Sequence, residues 1–137
     1  MTPNNDEDIR WQQRFINYKK AYTLLEETIR IDSPSDAERA GLIQFFEMSF
    51  ELAWKLLKDY LEGEGFIIKS PRAAIKQAFQ SGLVSDGHPW MNALQDRNLT
   101  AHTYDESTAL EVEKQIREVY FPILTELFND FSKKVNK

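Results

Sequence analysis

The stretch SDAERAGLIQFFEMSFELAWKLLKDYLEGEG, residues 35–65, decides the fold. It opens on Ser35-Asp36-Ala37-Glu38, a capping-box pattern. In that pattern a serine hydroxyl and a glutamate carboxylate satisfy backbone N–H groups that a helix start leaves unpaired. Two adjacent rows then follow at helical spacing: Leu42, Phe45, Ser49, Leu52, Leu56 and Tyr60, and Phe46, Phe50, Ala53, Leu57 and Leu61. Two rows make a wide apolar face, so this helix is predicted to be the central one. Gly63 and Gly65 supply its stop.

Working outward, Trp11, Phe15, Tyr18, Tyr22, Leu25 and Ile29 recur at alternating steps of four and three. They predict a first helix from about Asp6 to Arg30, with a heptad-like stripe suited to a bundle seam. Asp32-Ser33-Pro34 ends it, because proline restricts the residue before it and cannot extend the hydrogen-bond ladder. After residue 65, Phe66-Ile67-Ile68 reads as an extended connector over the end of the core. A third helix has an N-cap at Ser70, a first-position Pro71 and a stop at Gly82, with Ala74, Ile75, Ala78 and Phe79 as its apolar face. A fourth runs from about His88-Pro89-Trp90 to Ala101 or His102, and His88 reads as a turn residue. A fifth begins between Asp105 and Thr108, with Thr108 and Glu111 as a second capping box and a stripe of Val112, Ile116, Val119, Ile123 and Leu127. Pro122 falls inside that stripe and predicts a kink or a split. The expectation is one all-α domain over residues 1–137, an antiparallel up-and-down bundle of four to five helices, with frayed tails at 1–8 and 132–137.

Composition agrees. The hydrophobic fraction of 42% is ample for one core, and 5 Gly with 5 Pro in 137 residues leave few turns. Without cysteine there are no disulfides and no thiolate metal sites. Met1 to Asp8 is polar and acidic, so neither a signal peptide nor a membrane anchor is expected, and a cytoplasmic location suits the chain. A net charge of −5 counts against broad electrostatic binding of DNA or RNA, though not against a local basic pocket. No acidic pair lies at the Glu-x-x-His spacing of a di-metal bundle, so neither a metal nor a cofactor is expected.

The densest polar cluster runs from Asp96 to Asp105, Asp-Arg-Asn-Leu-Thr-Ala-His-Thr-Tyr-Asp. Asn98 and His102 are four apart and share a helix face. Arg97 and His102 are five apart, about 140° around an ideal helix, so only a local break or a second chain brings them to one pocket. Arginine offers a permanent fork for phosphate oxygens, and histidine titrates near neutrality. Such a pair can cleave RNA, with His102 deprotonating a 2′-hydroxyl while Arg97 steadies charge on the phosphate. It can equally hold a nucleotide phosphate without cutting. It can also be structural, Arg97 pairing with Asp96, Asp105 or Glu106 and His102 sitting where a helix C-terminus favours a cation. Glu47, Glu51, Lys55 and Asp59 form a polar row on the central helix, and most such rows are solvated faces.

At these residues the chain resembles the HEPN superfamily of small helical nucleotide-binding proteins. Its signature is an arginine, four to six residues, a histidine, one residue and a tyrosine, matched here by Arg97, His102 and Tyr104 with Asn98 after the arginine. Phe46 to Lys55, Lys58 to Leu61, Ser70-Pro71-Arg72, Gly82-Leu83 and Trp90 follow the order of the superfamily's nucleotidyltransferase substrate-binding branch. The resemblance implies a homodimeric bundle paired with a minimal nucleotidyltransferase, commonly as a toxin–antitoxin module. It implies nucleotide or RNA as ligand, and neither DNA nor membrane as partner. Within it, Arg97 and His102 would be catalytic, Arg97, Asn98 and His102 would bind phosphate, and Tyr104 would accept AMP. Glu47, Glu51 and Asp96 would support them, with Glu47 or Glu51 facing Arg97 in the pocket.

Overall fold

The structure is a computed structural model that describes residues 5–97 and 105–136, and all its regular elements are helical. Helix α1 spans Asn5–Ile29, α2 Asp36–Gly63, α3 Pro71–Gln80 and α4 Gly87–Arg97. Then α5 (Glu106–Gln115), a π-helical turn (Ile116–Tyr120) and α6 (Phe121–Val135) follow without interruption. The expected all-α bundle is what the chain forms.

The start of α2 carries the reciprocal cap: Glu38 N–H donates to Ser35 Oγ at 3.1 Å and Ser35 N–H to Glu38 Oε1 at 2.8 Å. Ser35→Ala removes half of it and is expected to cost about 1 kcal/mol, read as a fall of roughly 4 °C in melting temperature. Both rows of α2 face inward: Phe46, Phe50, Ala53, Leu57 and Leu61 are fully buried, as are Leu42, Ser49 and Leu56. Helix α2 touches α1, α3, α5 and α6, which makes it the central helix. Ser49 Oγ lies in this face with no hydrogen-bond partner among the described residues.

Helix α1 runs antiparallel to α2, since Arg14 near its start reaches Asp59 near the end of α2 at 2.9 Å. It is also antiparallel to α6. Trp11 meets Phe131 edge to face at 5.5 Å, and the Tyr18 hydroxyl donates to Leu124 O at 2.6 Å. Tyr22 stacks on Phe128 at 4.6 Å and on Phe121 at 5.3 Å. Burial, with a smaller contribution from Tyr22, pushes the Tyr18 hydroxyl pKa well up. Gly65 and Gly82 adopt φ of 100° and 78°, left-handed conformations that glycine takes at little cost, and they sit just past α2 and α3. Residues 66–69 are an extended connector in which Ile68 is buried and Ile67 is exposed.

Three expectations are corrected. Phe79 is 51% exposed, so the inner face of α3 consists of Ala74, Ile75 and Ala78. Thr108 and Glu111 form no capping box; Asp105 is the N-cap, and its carboxylate accepts from Ser107 and Thr108 hydroxyls at 2.9 Å each. The buried stripe after Ile116 is Tyr120, Leu124, Leu127 and Phe131, while Val119 and Ile123 are half-buried. The π-helical turn explains the shift. Phe121 N–H donates to Ile116 O, five residues back. That wider loop advances the phase by one residue. It also answers Pro122, whose ring would collide in an ordinary helix with the carbonyl of Glu118.

A polar clamp ties this long helix to the α1–α2 turn. Buried Glu113 accepts from Arg39 Nε at 2.7 Å and Arg117 Nε at 2.8 Å. Arg117 also donates to the carbonyl of Ile29, the last residue of α1, at 2.6 Å and to that of Ile31, two residues past it, at 2.9 Å. Burial alone would raise the Glu113 pKa, but hydrogen bonds from Arg39 and Arg117 outweigh it and hold the carboxyl below its ordinary range.

Candidate functional site

Arg97 ends the described part of α4, where the helix dipole favours a cation. Its guanidinium Nη1 donates to Glu51 Oε1 on α2, and Glu51 also lies 3.7 Å from Lys55 one turn on. The central helix thus holds the guanidinium from below, and the carboxylate that reaches it is Glu51. Glu47 is half-buried and makes no ion pair or hydrogen bond with the described residues. The acid next in sequence does not pair with Arg97 either. Asp96 accepts from the hydroxyl of Tyr120, the last residue of the π-helical turn. Burial chiefly, and then the Asp96 carboxylate, raise the Tyr120 pKa far above its ordinary value. Tyr120 is therefore a neutral donor at any physiological pH, and it anchors α4 to the long C-terminal helix one residue before Arg97.

Two of the expected site residues, Arg97 and Glu51, thus meet directly, and Asp96 is tied to a tyrosine that pattern reading places nowhere near it. Asn98, His102 and Tyr104 lie outside the described residues. Asp105, a candidate partner of Arg97, is instead occupied by Ser107 and Thr108, whose hydroxyls lower its pKa. The sequence signal for Tyr120 was Pro122: a proline in a helical stripe demands a local adjustment, and the wide turn that results aims the tyrosine inward.

Arg97 lines an open cleft of about 490 Å³ between α3 and α4, with Ser70, Pro71, Arg72, Leu94 and Gln95. On the other side of Asp96, a second cleft of about 570 Å³ is lined by Ser107, Thr108, Glu111, Val112 and Gln115. Both are large enough for a nucleotide-sized group. Only the first presents guanidinium groups, so only the first suits an anion. No three His, Asp or Glu side chains converge as metal ligands among the described residues, and no helix there is long and apolar enough to cross a membrane.

Known proteins are similar to this chain over much of its length. The family model for proteins like the nucleotidyltransferase substrate-binding protein matches residues 13–133. A Haemophilus influenzae protein named probable ribonuclease HepT is 34% identical over 82 residues. That match takes in 56% of this chain and 56% of the relative, so the chain spans little more than half of it. A crystal structure of a Thermus thermophilus protein superposes with a TM-score of 0.76 at 33% identity, covering 82% of this chain and 97% of the other.

Proposed function

Because the chain belongs to the nucleotidyltransferase substrate-binding family, a branch of the HEPN superfamily, we propose that it is a phosphate-binding helical subunit that pairs with a minimal nucleotidyltransferase. In this reading the pair is a toxin–antitoxin module of the cytoplasm, and the subunit is a homodimer. The observation that carries it is the guanidinium of Arg97, fixed by Glu51 on the central helix at the edge of a nucleotide-sized cleft. A fixed fork of N–H donors is what recognition of phosphate oxygens requires. The acidic balance of the chain suits a protein partner better than a long stretch of RNA contacted over its whole surface.

A second reading is favoured by the similarity to a protein named a probable ribonuclease. Here the subunit is itself a metal-independent endoribonuclease. His102 takes the proton of a 2′-hydroxyl, and the oxygen attacks the adjacent phosphorus. The bond to the 5′-oxygen of the next nucleotide breaks, leaving a 2′,3′-cyclic phosphate and a 5′-hydroxyl that takes up a proton, and Arg97 stabilises the charge that develops. The transferase would then silence the site. The Tyr104 hydroxyl attacks the α-phosphorus of ATP, pyrophosphate leaves, and the AMP left behind adds a negative charge and bulk next to Arg97.

One experiment separates the two. Purified protein is incubated with RNA in excess chelator, alongside His102→Ala, and the co-expressed transferase is tested for copurification. Cleavage by the wild type and its loss in the variant establish the ribonuclease reading. Copurification with no cleavage by either protein establishes the binding subunit. Absence of both sinks the proposed function.

A further inference from the structure

Ser70-Pro71-Arg72 is part of the family-like pattern, yet neither reading above uses it. The surrounding charge is unusual for this chain. Residues 65–85 hold Lys69, Arg72 and Lys76 and no acid, in a protein whose net charge is −5. Arg72 stands in the first turn of α3 with no acidic residue beside it. A cation there is unfavourable, because the helix N-terminus is already positive. Arg72 is exposed and makes no ion pair or hydrogen bond with the described residues, so nothing among them offsets that cost. An anion would be attracted by both. The helix start is arranged consistently with this. Pro71 has no N–H, the Ala73 N–H goes to Ser70 Oγ at 3.1 Å and the Ala74 N–H to Ser70 O at 3.0 Å. The Arg72 N–H has no acceptor within its helix. Arg72 shares its cleft with Arg97, which enters from α4.

We propose that Arg72 is a second phosphate contact on the α3 side of this cleft, engaging the phosphodiester next to the one held at Arg97 on a single RNA strand. The assignment rests on the phosphate-binding reading of Arg97. Two guanidinium groups from different helices on one cleft fix the direction of a strand, which one group cannot do. Local basicity within an acidic chain then limits binding to a few phosphates, and the salt dependence should be correspondingly shallow.

The test uses the full chain and a 5′-labelled 2′-O-methyl RNA octamer, which has no 2′-hydroxyl to attack, titrated over a series of KCl concentrations. Arg72→Ala is expected to weaken octamer binding about tenfold and to reduce the salt slope by about 0.7, the single-strand value for one phosphate contact. Arg72→Lys should restore most of the slope, since lysine still binds phosphate as a point charge. Competition by uridine 5′-monophosphate, which carries one phosphate, should be the same for wild type and Arg72→Ala. Unchanged melting temperatures confirm that the variants fold. Loss of octamer binding in Arg97→Ala but not in Arg72→Ala overturns the Arg72 assignment and leaves the Arg97 reading standing. Dependence on Arg72 for ATP alone, with the octamer unaffected, overturns the RNA strand as the ligand. No octamer binding by the wild type overturns both.

Discussion

Replacing Glu113 with alanine is expected to destabilise the fold by about 3 kcal/mol, a fall of roughly 12 °C in melting temperature for a chain of this size. The carboxylate is buried and receives one bond from Arg39 and one from Arg117. Its removal leaves the Nε of each of two largely covered guanidinium groups without its carboxylate acceptor, and loosens the hold of Arg117 on the carbonyls at the end of α1. Breaking one side of a buried ionic network costs more than the network contributes as a whole, because the orphaned charge stays behind. Glu113→Gln keeps one acceptor oxygen and should lose about half as much. The sign of the pH dependence follows from the lowered pKa of Glu113. The contribution is fully present above the unfolded value of about 4.3 and disappears as pH falls through the lower folded value. Thermal melts at pH 7 should therefore separate wild type from Glu113→Gln, and the gap should narrow as the melts are taken into acid, through the lowered folded value. A difference that persists undiminished in acid would mean the carboxylate acts through shape and not through charge.

The largest functional effect should come from Arg97. On the ribonuclease reading, Arg97→Ala is expected to reduce RNA cleavage at least about 100-fold, the loss seen when a preorganised charge-stabilising donor is removed from an active site. Arg97→Lys keeps the charge but not the planar fork and should recover only part of it. Stability should hardly move. The pair with Glu51 is about a third exposed, and such pairs contribute at most about 1 kcal/mol. That contrast is the diagnostic: a large kinetic loss with a small melting shift marks a group that acts on ligand. A large melting shift with residual activity intact would reduce Arg97 to an anchor for α4. Glu51→Gln should show a smaller loss of the same kind, because it orients the guanidinium without touching ligand.

Much of this molecule is legible in its sequence, for physical reasons that differ by element. Helix α1 and the two rows of α2 obey simple periodicity because straight helices pack against straight neighbours, and every aromatic from Trp11 to Tyr22 in the predicted stripe is buried. Ser35 and Ser70 announce their helices because a cap is a local event, settled within four residues. What escapes is what depends on distant chain. The partner of Asp96 is 24 residues away, and the clamp at Glu113 reaches 74 residues back to Arg39. No periodicity encodes such pairings. The Pro122 signal was readable as a disturbance but not as its remedy. A kink, a split and a wide turn all relieve the same clash, and only the surrounding packing selects among them.

The wide turn has a further consequence for how this chain can change in length. Arg117 and Tyr120 both belong to it, one serving the clamp at the α1–α2 turn and the other the tether to α4. Downstream, Leu124, Leu127 and Phe131 take their bearings from the same extra residue. Deleting a single residue between 116 and 120 would turn every later side chain by about 100° relative to every earlier one. The five residues from Ile116 to Tyr120 behave like a tooth count in a gear train: their number matters as much as their chemistry.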